Sequence, residues 1–441
     1  MTPVTTTTTN TKTVFQTKAP FGVMKTRTFT VLATLLLIEG VMIGQVLSRP
    51  AAAQTAAAED CKKIIDKVAQ VACWVKKVKA GEKNLLKAEL GKADLTGADL
   101  TGADLTGADL TGARLVGKNL SGAKLTGAKL AGASVRYADL TLAKLTGANL
   151  NGARLRQATL NSADLSKADL TGADLSNADM AEANLTEANL NNADLSWVNL
   201  NNADLSAANL TGAKLHAAGL GTANLTKANL FGADLTLVLM SGANLTEANL
   251  TGARLVGKNL SGAKLTKAVL TGAKLNAADL TEAKLTNADL TKAVLTGATL
   301  TGADLRVANL TGANLTGANL MNAQMSGTAL RKADLTGAKL TKAVLFGANL
   351  TGAELGKADL TGVGLRVADL SQAKLIGANL TKANLFGANL TDADLTDADL
   401  TGADLRGANL TNADLSKAKL TGAKLTGIKK DKDTKGLPPG S

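Results

Sequence analysis

The chain has 441 residues, a formal net charge of +12 and only 2% aromatic residues. Conventional globular cores of this length lean on large aromatic side chains, so a string of ordinary domains is excluded. Apolar residues make up 45% of the chain, too many for a disordered polyelectrolyte, and the dominance of Ala, Leu, Gly, Thr, Asp and Asn points to one small unit used many times.

Residues 1–53 read as a targeting segment. Thr30 to Leu47 is mostly apolar, Lys25 and Arg27 precede it, and Pro50 and the run Ala51-Ala52-Ala53 follow it. A basic start, an apolar middle and a small-residue end are the parts of an export signal, cleaved here after Ala53 or Ala58. Met24 opens MKTRTFTVLATLLL and is a candidate for the true initiator. The competing reading is an uncleaved membrane anchor over residues 30–47. That stretch is barely long enough to span a bilayer, and Glu39 at its middle costs about 3 kcal/mol. The membrane is expected as a partner only through this anchor.

Residues 54–82 are expected to form a helical cap. Cys61, Ile64, Ile65, Val68, Val71, Ala72, Val75 and Val78 follow helical spacing over 59–80, with lysines opposite and Gly81 as a stop. A solenoid needs such a lid, because its first coil exposes an apolar end and open edges. Cys61 and Cys73 are the only cysteines. Twelve residues of unbroken helix separate them by about 18 Å, too far for a disulfide. Packed thiols or a bond between chains is therefore preferred, an intrachain bridge with a helix break near Val68–Gln70 comes second, and a metal comes last.

From Leu85 to Leu425 every fifth residue is Leu, save Val135, Met180, Met240 and Met325, which gives 69 consecutive units without an insertion. The unit reads Ala, then Asp, Asn, Lys or Arg, then Leu, then Thr or Ser, then often Gly, as in Ala98-Asp99-Leu100-Thr101-Gly102. A five-residue step walks around an α-helix and alternates faces on a strand. It fits a chain that turns a corner every five residues, with Ala and Leu pointing inward and neighbouring units stacked. The array at 83–427 holds 34 basic and 30 acidic residues, so most of the positive charge lies in the two ends. Residues 428–441 read as a short cap or a disordered tail.

These units resemble the pentapeptide-repeat family over about 345 of the 441 residues. The resemblance implies an all-β solenoid: a right-handed quadrilateral β-helix of about 17 coils, four units per coil, with residues 20 apart stacked in one column. Signal-bearing members are common in cyanobacteria, which implies the periplasm or the thylakoid lumen.

Breaks in the pattern are where function is sought. Lys118 and Lys258 fill inward Ala slots, where an ammonium is not stable in a dry lumen, so they are expected to reach out or to sit in a bulge. The segments Leu110–Thr126 and Leu250–Thr266 around them are identical. An apolar cluster of Trp197, Val198, Ala217, Leu237, Val238 and Leu239, with His216 beside it, is a candidate partner patch. Phe346, Arg366 and Phe386 form one column suited to cation–π packing. Asp392, Asp394, Asp397, Asp399 and Asp404 form an acidic group that repeat composition explains better than a cation does.

No catalytic, cofactor-binding or metal-binding residue is assigned, and no small-molecule substrate is expected. The function expected is an exported structural or interaction protein, a rigid rod with a protein partner. A DNA-mimicking inhibitor of a topoisomerase needs an acidic cytoplasmic surface and fits poorly. Ice binding through Thr columns and direct nucleic-acid binding are remote, since the faces mix charges and lack stacking aromatics.

Overall fold

The computed structural model describes residues 61–439; the signal, the anchor and Met24 lie outside the described residues. Helix α1 spans Lys67–Lys79. Asp66 caps it, its side chain accepting a hydrogen bond from the Ala69 amide at 2.7 Å. Lys76, Lys77 and Lys79 sit in its last turn, beside the negative end of the helix dipole.

The expected continuous helix over 59–80 is corrected here. The chain bends at 63–66, before the break considered at Val68–Gln70, and Cys61 folds back to form a disulfide with Cys73, Cα to Cα 5.7 Å. The preference for free or intermolecular thiols is overturned with it, because the helix does not separate the two cysteines. The helical stripe shifts as well. Ile65 and Val68 are 96% and 79% exposed, whereas Gln70, Trp74 and Val78 form the buried face of α1. Trp74 and Val78 belong to the same apolar core as Leu85, Ala88 and Leu90, and Lys67 reaches Glu89 at 3.6 Å.

From Asn84 onward the chain is a solenoid. Single parallel bridges join nearly every residue before a Leu to its equivalent 20 residues later, as in Asn309↔Ala329 and Asp369↔Asn389. A coil therefore has four five-residue sides. Each side contributes one bridged residue, too few for a regular strand. Between coils, the Leu310 amide donates to the Ala329 carbonyl at 2.7 Å and the Asn309 amide to the Ala288 carbonyl at 2.9 Å. Up to Leu415 the Leu and Ala side chains fill the lumen with essentially no solvent exposure, and Ala418, Leu420, Ala423 and Leu425 at the far end are partly buried.

Each corner is a β-turn closed by a bond such as Ala313 amide to Leu310 carbonyl, 2.9 Å. The residue two after Leu has positive φ in every turn, and non-glycines take it as often as glycine: Gly102 at 62°, Trp197 at 61°, Val307 at 58°. Positive φ at the second central residue alone is the type II pattern. The polar residue before Leu fixes the corner from outside. Asn314 Oδ1 accepts from the Thr316 amide at 2.9 Å and from the Thr316 hydroxyl at 2.7 Å, which explains the preference for Asp or Asn followed two residues later by Thr or Ser. Amide ladders add a coil-to-coil link, Asn409 Nδ2 donating to Asn389 Oδ1 at 3.3 Å.

Residues after the last Leu continue the ladder. Lys429 bridges Asn409, and Lys435 bridges Asp414 after one extra residue. The Thr434 hydroxyl donates to the Leu410 carbonyl at 3.0 Å, and Leu437 packs partly against the core.

Candidate functional site

A lumen one side chain wide accepts Ala and rejects longer residues unless the wall yields. Lys118, Val198, Val238 and Lys258 all replace Ala in one inward column, since their numbers differ by multiples of the 20-residue coil. Val198 and Val238 are 1% and 3% exposed. They point into the lumen, so their place in the apolar surface patch is corrected: a residue in the Ala slot faces inward whatever surrounds it.

The outer members of that patch are on the surface. Trp197, Leu237 and Leu239 are 60%, 57% and 71% exposed. Trp197 and Leu237 occupy one turn column, with half-buried Ala217 between them. Half-buried His216 meets Trp197 edge to face, ring centroids 5.7 Å apart.

At the two lysines the ladder opens. The Gly97 and Leu100 amides lack the coil-to-coil bond that their neighbours make, and so does the Asn119 amide. The opening at Lys258 is wider: the amides of Gly232, Leu235, Leu237, Met240 and Gly242 below, and of Arg254 and Asn259 above, make none. Asp234↔Arg254 and Leu239↔Asn259 are correspondingly missing from the bridge series. Lys118 is half-exposed, whereas Lys258 is 9% exposed and lines a crevice of about 280 Å³ with Leu237, Val238, Leu239, Met240, Ser241, Gly257 and Asn259. Burial pushes the Lys258 ammonium below the ordinary lysine pKa, with Asp234 acting in the opposite sense. The lysine break and the apolar cluster, separate in the sequence, thus meet at one crevice.

The third break is a cation–π stack of a different composition. Arg366 lies 5.0 Å from the Phe386 ring, and Arg406, one coil on, lies 5.7 Å from it. Phe346 is exposed and takes no part in these contacts. Arg406 is also held by Asp404 through two bonds of 2.9 and 2.7 Å, which bring the Asp404 pKa down to about 2. Arg406 was readable from its 20-residue offset to Phe386. Among the described residues no group of three or more His, Cys, Asp or Glu side chains is placed to hold a metal, Asp392, Asp394, Asp397 and Asp399 included.

A buried hydroxyl in the lumen escaped the sequence reading. Thr328 stands in an Ala slot, fully buried, and its hydroxyl donates to the Met325 or Leu305 carbonyl at 2.7 and 2.9 Å. A hydroxyl can be satisfied by the wall, so here the ladder stays closed.

A family model described as "Pentapeptide repeats (8 copies)" matches overlapping segments that run without a gap from residue 84 to 427. No curated protein matches the chain. Among solved structures, it is similar to a pentapeptide repeat protein from Nostoc PCC 7120, with 50% identity over 20% of this chain and 71% of that one, TM-score 0.19. HetL, a pentapeptide repeat protein involved in heterocyst differentiation regulation from the same cyanobacterial strain, shares 34% identity over 66% of this chain and 89% of its own, TM-score 0.14. A pentapeptide repeat protein of the Arabidopsis thaliana thylakoid lumen shares 34% identity over 26% of this chain and 67% of its own, TM-score 0.13.

Proposed function

The chain belongs to the pentapeptide-repeat family, whose members fold as right-handed quadrilateral β-helices, and on that premise we propose that it is an exported structural or interaction protein. In this reading it is a rod of about 17 coils, roughly 80 Å long at about 4.8 Å per coil, closed at its N-terminal end by α1. One side of the rod takes a protein partner. The observation that carries the reading is the exposed Trp197–Leu237–Leu239 patch; other exposed apolar residues, such as Leu142, Val307 and Phe346, stand elsewhere on the array.

Two features support a non-enzymatic role. The polar side chains that recur are engaged in forming the turns, and no loop leaves the array to build a pocket. DNA mimicry is disfavoured by charge mixing within columns: Lys374 pairs with Glu354 at 2.8 Å, and Glu247 lies within 4 Å of both Lys227 and Lys267. Export to the periplasm or thylakoid lumen rests on the residue pattern of 24–58.

The test is capture from an envelope fraction on immobilised protein, with the Trp197→Thr/Leu237→Thr variant in parallel. A partner retained by the natural protein and lost at least tenfold by the variant supports the patch; equal capture removes it. Mass spectrometry of the mature N-terminus decides export: a start at residue 54 or 59 supports a cleaved signal, and an intact residue 24–53 segment in membranes selects the anchor.

A further inference from the structure

We propose that the crevice between Leu237–Ser241 and Gly257–Asn259 is a binding site for a carboxylate with a short apolar tail, its head held by the Lys258 ammonium. Lys258 is nine-tenths buried as a residue and lines the crevice, and its Nζ keeps contact with solvent but makes no hydrogen bond or ion pair. A poorly hydrated ammonium without a partner favours an anion beside it. Asp234, the one carboxylate that acts on it electrostatically, stays beyond ion-pair distance.

The crevice offers further donors. Leu237, Met240 and Asn259 line it, and their amides make no bond to a neighbouring coil. Their equivalents are all engaged, as in Ala217 amide to Thr236 carbonyl and Leu220 amide to Leu239 carbonyl, each 2.8 Å. One cation with unpaired backbone N–H groups suits a single carboxylate better than a dianion, which would bring in a second charge. Around this head the wall is apolar: Leu237, Leu239 and Met240. The crevice, about 280 Å³ and open to solvent on one side, has room for a short chain beyond the head. That matches a medium-chain carboxylate or the last residue of a peptide with its free C-terminus.

Lys118 is a built-in control. It carries the same 17 surrounding residues but stands over Ala98, Asp99 and Leu100 in place of Val238, Leu239 and Met240, and it is half-exposed.

The test is isothermal titration calorimetry on the whole protein with octanoate, octanol, and a hexapeptide ending in Leu as its free acid and as its C-terminal amide. Saturable binding of octanoate or of the free-acid peptide is expected, with octanol and the amide at least tenfold weaker. The stronger of the two carboxylates identifies the source as a free amphiphile or a chain terminus. Lys258→Met, which keeps a long side chain without the charge, is expected to weaken carboxylate binding at least tenfold, whereas Lys118→Met leaves it unchanged. Leu239→Asn, the repeat's usual residue, lowers affinity for octanoate more than for propionate. No saturable binding of either carboxylate, or unchanged affinity in Lys258→Met with the remote coils still protected from hydrogen exchange, overturns the proposal.

Discussion

Lys118 and Lys258 stand in one inward column, 140 residues apart and inside identical 17-residue segments, yet only Lys258 is buried. The coil beneath makes the difference. Under Lys118 lies the small consensus Ala98; under Lys258 lies Val238, which already overfills its slot. Two oversized neighbours in one column part the wall further than one does.

Lys258→Ala is expected to close the ladder. Each restored coil-to-coil bond contributes about 1 kcal/mol, so local stability rises by at least about 2 kcal/mol. Amide hydrogen exchange at Leu237, Met240 and Asn259, fast in the natural protein, becomes as slow as at Leu220 or Asp279. Exchange that stays fast would place the cause of the opening elsewhere.

Val307 and Val367 hold φ of 58° and 49°, where a β-branched side chain crowds its own backbone. Val307→Gly and Val367→Gly are each expected to stabilise the array by about 1 kcal/mol, read as a rise in melting temperature. Val367 gains less, because its side chain reaches within 3.3 Å of where a Cβ on Gly387 would stand and so covers the next corner.

The Cys61–Cys73 disulfide closes a short loop, and its removal costs that segment about 3 kcal/mol. In Cys61→Ser/Cys73→Ser, hydrogen exchange is expected to rise through residues 61–79 while coils beyond residue 130 are unchanged, because stability in a stacked array passes only between neighbours. A cooperative loss of the whole array would contradict this.

Asp304 is buried and gripped by Arg306 through bonds of 2.8 and 2.6 Å, which bring its pKa down to about 2 from 3.8. Folding lowers this pKa, so the pair stabilises the array above the unfolded value and loses that effect as pH falls toward 2. Carboxyl carbon shifts in a pH titration should show Asp304 ionised well below pH 3.8. Arg306→Gln should return its titration toward the ordinary aspartate range.

Much of this was legible because a fixed period of five leaves few solutions. Once Leu100 and Leu105 must both face inward, the chain has to turn between them. The helix bend was less legible: Ile64, Ile65 and Val68 continue a helical stripe by spacing, although Asp66 already carried the cap signal. The crevice was available by arithmetic. Val238 and Lys258 differ by one coil in the inward column, which lies beside the turn column that aligns Trp197 with Leu237. The fate of a polar residue in the lumen depends on reach. Thr328 finds the wall carbonyls from where it stands, whereas Lys258 is too long to do so.

The interrupted ladder between residues 232–242 and 251–261 also has a mechanical meaning. Tension along the axis passes from coil to coil through the inter-coil hydrogen bonds, four sides in parallel. Where two adjacent sides are unbonded, the remaining two carry the whole pull. A stretched array is therefore expected to part there first, leaving two intact lengths of coil, and single-molecule pulling would register that site as the lowest rupture force along the chain.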